Sequence, residues 1–368
     1  VANHDGHEGT AGPERREGET EARRVLVTGL SSYWGGRLAE ALEQRDEIEV
    51  IVGVDTEPPT RELERTEFVR VGNEHALLRR IVRAAEIDTV IDTRLTVDSI
   101  NASSRAAHEN NVIGTMNILA ACTGPDSPVR RLVFKSSAHW YGCAQDDPAF
   151  FLENMQRRHP PRTGLERDVV EAEVGVREFS ARNPQVRVAI LRCANALGPD
   201  LSTSHSALLS LPAIPGILGF DPRYQFVHVD DIVTALEHAA LNPLDGVYNV
   251  AGDGVLVLSE VASLLGKPLL PLLPPWGTSV AARSLRALGV KIPPEMLTQL
   301  RFGRGMDNRK IKATGFRFAH TTADAVLRLA EHQRLHPVLR GAGERYRYER
   351  EVEEFLRYSP SVRTRSGR

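Results

Sequence analysis

Arg24-Val25-Leu26-Val27-Thr28-Gly29-Leu30-Ser31-Ser32-Tyr33-Trp34-Gly35-Gly36 decides the fold. Four residues at its start form a short apolar run that stops at Thr28-Gly29. Beyond the glycines, Leu38 and Leu42, with Ala39 and Ala41 beside them, recur at helical spacing. A strand, a sharp glycine turn and an amphipathic helix are therefore expected in that order. In such a setting the turn brings backbone N–H groups and a helix N-terminus to one point, where they can face an anion.

The alternation continues outward. Val50 to Asp55 reads as a second strand and Phe68 to Val71 as a third; helix-like 76–86 leads to Thr89 to Asp92, and helix-like 101–121 to Arg131 to Phe134. Short apolar strands alternating with amphipathic helices predict a doubly wound α/β domain with a parallel sheet covered on both faces. The pattern runs on through a helix near 167–182, a strand from Val186 to Leu191, a Pro/Gly-rich stretch at 212–222, a strand at Phe226 to Val229 and a helix from Leu256 to Leu265. Pro268 to Pro275 holds four prolines and reads as a rigid linker or lid, not an element. The expected division is a disordered tail at 1–22, a Rossmann domain at 23–185, interleaved Rossmann and substrate-binding segments at 186–266, and a divergent helical region at 267–368 that frays in the basic Arg363 to Arg368.

Composition narrows the function classes. The chain of 368 residues is 41% hydrophobic and 26% charged, which is globular, and its formal charge of −2 disfavours nucleic-acid binding, including single-stranded RNA held by arginines. No apolar run approaches the roughly 18 residues that cross a bilayer. Cys122, Cys143 and Cys193 form no CxxC, so neither a disulfide framework nor a zinc cage is expected. With no charged-then-apolar leader, a cytoplasmic protein without a metal is the expectation. Lysine is scarce: Lys135, Lys267, Lys291, Lys310 and Lys312 are all the chain has.

In the glycine turn, Gly29 makes the tight bend and Gly35 allows close packing of helix on strand, while Ser32 stands where the backbone meets the phosphates. A ligand-free βα turn would look much the same. Asp55, 20 residues after Gly35 at the end of the second strand, adds a carboxylate placed for an adenosine ribose diol. Thr56 follows it, not arginine, which favours NAD over NADP.

Five further motifs follow in order. Asn111-Val112-Ile113-Gly114-Thr115-Met116-Asn117-Ile118-Leu119, the stretch Leu132 to Gly142 containing Ser136-Ser137-Ala138 and Tyr141-Gly142, Leu191 to Pro199, Phe226-Val227-His228-Val229-Asp230-Asp231 and Tyr248-Asn249-Val250-Ala251-Gly252 are similar to NVxGTxNxL, SSAxxYG, LRxxNxxGP, FVHVDD and YNVxG. Over residues 24–266 the chain thus resembles the extended short-chain dehydrogenase/reductase superfamily, in its NAD-dependent epimerase/dehydratase branch, which includes UDP-galactose 4-epimerase. The resemblance implies a Rossmann sheet with a smaller C-terminal substrate-binding part, NAD as cofactor, a nucleotide sugar as substrate and a homodimer as a typical assembly. It assigns Ser137 as the catalytic hydroxyl and Asn195 as a substrate contact. Asn111 reads as a helix–sheet hydrogen bond, and His228 with Asp230 as a structural anchor.

The chain departs from the family at the proton-transfer group. The family's Tyr and Lys, four residues apart on one helix face, align to Thr163 and Arg167, and no YxxxK occurs anywhere. A threonine hydroxyl is too weak an acid to replace a tuned phenol, although Arg167 can still hold a ribose or phosphate oxygen. The dehydratase Asp-Glu pair would fall at Ala138-His139. The small residues of VIHLAA become Asp92-Thr93-Arg94-Leu95, which could crowd the nicotinamide side, and a phosphate-binding arginine aligns to Tyr224, with Arg223 adjacent. His139, with an ordinary pKa near 6.5, is a candidate replacement acid/base, against the reading of a loop histidine without chemical duty. Two functions stay open: an NAD-dependent nucleotide-sugar epimerase or related oxidoreductase with a rebuilt site, or a catalytically degenerate NAD(P)-binding regulatory or scaffold protein.

Overall fold

A computed structural model describes residues 24–72, 74–98, 100, 102–273 and 293–335; the expected tail at 1–22, the prolines at 274 and 275 and the basic end at 363–368 lie outside the described residues. Its centre is a seven-stranded sheet in the order β12-β7-β5-β4-β1-β2-β3, built from β1 (Arg24–Thr28), β2 (Val50–Asp55), β3 (Thr66–Arg70), β4 (Thr89–Asp92), β5 (Arg131–Ser137), β7 (Arg187–Cys193) and β12 (Gly246–Val250). Every pairing in it is parallel. The strand order reverses between β1 and β4, and that switch point is where a doubly wound sheet opens a crevice at the carboxyl ends of its strands.

Alternation along the strands explains the two faces. Leu26, Val52 and Val90 point to one side, where α2 (His75–Ala84), α4 (Thr115–Cys122) and α5 (Gly164–Arg182) cover them with Leu78, Ile118 and Val176. Val25, Val27 and Ile91 point to the other, against Leu38 and Leu42 of α1 (Tyr33–Glu43) and Leu236 of α7 (Val229–Leu241). Both leucines of α1 are wholly buried, a stabilisation of roughly 1.5–3 kcal/mol each. Because both faces are covered, the strands are apolar throughout and not alternately polar.

A smaller core gathers Leu208, Ile217, Phe226, Val261, Leu300 and Val326 from separate segments between residues 195 and 335. Two expectations are corrected here. Leu269–Leu273, read as linker, is a strand (β14) paired in parallel with β9 (Ile214–Ile217). Its register breaks between Leu270 and Leu273, across Pro271, which has no N–H to give the ladder. The single helix expected at 101–121 is three pieces: α3 (Ser104–His108), a π-helical turn at Glu109–Gly114, and α4. Among the described residues no helix is long and apolar enough to cross a membrane.

Candidate functional site

The glycine turn closes as the sequence suggested. Gly29 takes φ +78° and gives its N–H to Val54 O at 3.0 Å. A Cβ on Gly35 would stand 2.0 Å from Gly29 O, so only glycine fits beneath the turn. Ser32 caps α1, its hydroxyl accepting from Gly35 N–H at 3.1 Å. Asp55 Oδ2 accepts from Ser31 N–H (2.9 Å) and Ser31 O–H (2.6 Å), while Oδ1 accepts from Thr56 N–H (2.7 Å). The carboxylate is thereby held rigidly beside the turn.

Two cavities open along the carboxyl edge of the sheet. One, of about 190 Å³, is lined by Asp55 with Thr28, Val71, Asn110 and Ile118. The other, of about 430 Å³, contains Ser32 and Trp34 on one side and Ser137, His139 and Asn195 on the other. Arg94 lines both and marks their junction. Its Nε and Nη2 are buried without a hydrogen-bond partner, with Nε 3.5 Å from Asp92 Oδ1. Asp92 is itself engaged by Thr28 O–H at 2.8 Å and Arg94 N–H at 3.1 Å. Arg94, ion-paired to Asp92, thus brings a guanidinium with an unused Nη2 donor to the wall shared by the two cavities.

Ser137 ends β5 and accepts from His139 N–H at 3.2 Å, opening the 3-10 turn Ala138–Trp140. His139 is buried, and its pKa lies well below the ordinary histidine value, first through desolvation and then through Arg304, His205 and Arg157. Its backbone O accepts from Arg157 Nη1 at 2.8 Å. Across the cavity, Asn195 Nδ2 donates to Gln299 Oε1 at 2.8 Å, and His205 Nε2 lies 3.1 Å from the same oxygen. Burial lowers the His205 pKa to about 4. Both imidazoles are therefore neutral near pH 7.

Thr163, Arg167 and Arg223 fall outside the cavity. Thr163 is the N-cap of α5, its hydroxyl accepting from Glu166 N–H at 3.1 Å, and one turn on Arg167 points to solvent. Glu166 turns back to Arg157 and to Arg162 N–H. The stretch where the family keeps Tyr and Lys thus organises a helix start here. Arg223 is exposed on the two-residue strand β10 (Arg223–Tyr224), and Tyr224 is buried. Among the cavity-lining residues Tyr33 is the tyrosine, and its hydroxyl is tied to Asp200 Oδ1 (2.7 Å) and Arg37 (2.5 Å), with its pKa raised by burial.

Other assignments resolve locally. Asn111 accepts from Thr96 N–H at 2.7 Å and donates to Thr96 O at 2.8 Å, tying the π-helical turn to the loop after β4. His228 caps α7, and its ring stacks on His320 with centroids 4.0 Å apart. His228, Asp230 and His320 bring ligand-type atoms within 4.8 Å of one another. Asp230 also pairs with Arg37 at 2.7 Å, and the two rings are tilted by 30°. Burial pushes the thiols of Cys122 and Cys143 up to about 12 and that of Cys193 to about 11, so none is a ready nucleophile.

Two residues lining the larger cavity, His205 and Lys135, escaped the sequence, as did Gln299, which bonds Asn195 behind that wall. Gln299 belongs to the helix Pro294–Phe302, in a region without motif, and meets Asn195 only through tertiary packing. Lys135 had a usable signal, since it precedes Ser137 by two on the same strand and so shares its face.

Comparison with known proteins follows this geometry. The family model described as NAD dependent epimerase/dehydratase family matches residues 25–251. An uncharacterized protein of Mycobacterium tuberculosis (Rv0501) is 35% identical over 309 residues, covering 82% of this chain and 81% of that protein. UDP-glucose 4-epimerase 3 of Oryza sativa subsp. japonica is 32% identical over 116 residues, 32% of this chain and 26% of that one. Among solved structures, MoeE5 in complex with UDP-glucuronic acid and NAD has a TM-score of 0.62 at 21% identity, covering 85% of this chain and 99% of that one. The dTDP-glucose 4,6-dehydratase of Bacillus anthracis in complex with NAD gives 0.63 at 17%, covering 86% and 98%. These structures share the fold.

Proposed function

The chain belongs to the NAD dependent epimerase/dehydratase family, and on that premise we propose that it binds NAD along the carboxyl edge of its sheet and a nucleotide sugar in the larger cavity beside it. The observation that carries this reading is the meeting of two cavities at Arg94, with Asp55 in the wall of one and Ser137 in the wall of the other. Asp55 would take the adenosine ribose diol, and its negative charge with Thr56 next to it favours NAD over NADP. The N-terminus of α1 and the unused Nη2 donor of Arg94 suit a diphosphate. The residues present therefore fit the cofactor.

Bound NAD would supply a hydride acceptor for a sugar carbinol. Of the chain's own groups, Ser137 would hydrogen-bond the reacting oxygen, and Asn195 with His205 would orient the sugar nucleotide. His139 is the candidate proton acceptor in the same cavity; being neutral it can accept a proton, but its depressed pKa makes it a weak base. The second reading, a binding protein that holds NAD and a nucleotide sugar without turnover, is favoured by Thr163 and Arg167 serving a helix start where a phenol and an amine would stand. A homodimer is part of the proposal, supported by the exposed apolar side chains of Ile113, Met116 and Val174 on adjoining helices.

Purified protein titrated with NAD, then given UDP-glucose or UDP-galactose, separates the readings. Reduced-nicotinamide absorbance with interconversion of the two sugars supports catalysis. NAD binding without redox change supports the second reading, and absence of NAD binding overturns both.

A further inference from the structure

Lys135 is 2% exposed, and its ammonium makes no hydrogen bond or ion pair with any described residue. Its nearest electrostatic partner is the Trp34 ring, 4.7 Å from Nζ to centroid. The ionisable neighbours acting on it are Cys193, whose thiol is protonated, and Asp92, already bonded to Thr28 and to Arg94 N–H. Burial lowers the Lys135 pKa, and an enclosed amine without a hydrogen-bond acceptor is a cost that a methionine of similar shape would avoid. A ligand in the cavity could supply the missing acceptor.

The surroundings specify the sign and the chemistry of that ligand. Trp34 is the second residue of α1, an eleven-residue helix, and the N–H groups of Tyr33 and Trp34 find no acceptor among the described residues. Lys135, Tyr33, Trp34 and Arg94 all line the larger cavity. Its acidic lining residues are both engaged: Asp98 accepts from Ser204 N–H and O–H, and Glu295 has a partner of its own. What remains without a hydrogen-bond partner on this wall is a set of donors: the Lys135 amine, Arg94 Nη2 and the first N–H groups of α1.

We propose that Lys135 is an anion-binding residue of this cavity and takes a phosphate oxygen of the ligand's diphosphate. The proposal rests on the NAD and nucleotide-sugar reading and deepens it. A diphosphate ester is common to both ligands, so the source is left to the experiment. The role differs from that of a lysine acting on a phenol, because Lys135 lies on a strand below Ser137 and not on α5.

The test uses the full chain, its K135M variant and calorimetric titration with ADP-ribose, UDP, adenosine and uridine, together with thermal unfolding of both proteins without ligand. K135M is expected to unfold at a higher temperature, since a buried charge is removed, and to lose roughly tenfold or more in affinity for one diphosphate. Nucleoside affinity stays unchanged, and the salt dependence of diphosphate binding becomes shallower. Loss confined to ADP-ribose assigns the phosphate to the dinucleotide; loss confined to UDP assigns it to the nucleotide sugar. Unchanged diphosphate affinity, parallel loss of nucleoside affinity, or a K135M protein that is less stable or unfolded would each overturn the proposal. Binding of neither diphosphate by the unaltered protein would overturn the proposed function as well, whereas parental binding with an indifferent K135M overturns this inference alone.

Discussion

Arg192 Nη2 lies 2.5 Å from Glu173 Oε1, and neither side chain has any exposed surface. The pair joins β7 to α5 beneath the end of β5. Glu173 Oε2 also accepts from Ser136 O–H at 2.7 Å, and the guanidinium lies 4.5 Å from the ring centroids of both Trp140 and Tyr141. The turn that carries Ser137 and His139 is thus supported from below by one buried ion pair. Arg192→Leu leaves the enclosed Glu173 with Arg177, 3.1 Å away, as its remaining cation, and unfolding in urea should show a loss of up to ~3–5 kcal/mol. Combining it with Glu173→Leu should return part of that loss, because the charge then left single, on Arg177, reaches solvent.

Asp55→Ala removes the carboxylate proposed for the ribose diol and also frees Ser31 from two hydrogen bonds. Its NAD affinity, measured by calorimetry, should fall by roughly tenfold or more. Equal affinity in the variant would remove Asp55 from the cofactor site.

Thr163→Ala should cost ~1 kcal/mol in unfolding free energy through loss of the α5 cap, with Thr163→Ser near neutral. Arg167→Ala should leave NAD affinity as it is, since the side chain faces solvent. A large drop in affinity would place Arg167 at the cofactor after all.

Acid sensitivity follows from the neutral histidines. Desolvation leads the depression of His139 well below its ordinary pKa and of His205 to about 4. A histidine whose folded pKa is lower than its unfolded value binds more protons when unfolded. Its contribution is therefore intact above about pH 6.5 and lost as the pH falls towards 4. The unfolding midpoint of the unaltered protein should drop across that window, and His205→Gln should flatten the drop. An identical pH profile in His205→Gln would show that its titration is not linked to folding.

The strand-turn-helix at 24–43 and the doubly wound parallel character of the sheet were legible in the sequence because apolar period and glycine chemistry agree there. Pro271 hid β14: a proline normally argues against a strand, and the ladder accommodates it by slipping register. Within the site, Ser137, His139, Asn195 and Asp55 could be picked out, since each sits in or beside a recognisable strand end. Gln299 could not, because folding alone brings it to Asn195 and His205 across about a hundred residues, and His205 lies in no motif. Lys135 is hidden for a different reason: the family's amine stands at helical spacing from a tyrosine, and a strand neighbour of Ser137 does not satisfy that spacing.

The π-helical turn at Glu109–Gly114 has a consequence for how the chain tolerates change. One extra residue in a helical turn offsets the phase of everything before it against everything after it by about 100°. With that offset, Asn110 donates to Arg94 O at 2.6 Å while its neighbour Asn111 holds Thr96, and His108 meets Asp168 of α5 at 2.8 Å. Deleting a single residue here would restore ideal winding, yet it would swing α3 off α5 and release the loop that carries Arg94. The segment therefore behaves as a length-locked gear, able to exchange side chains but not to lose a tooth.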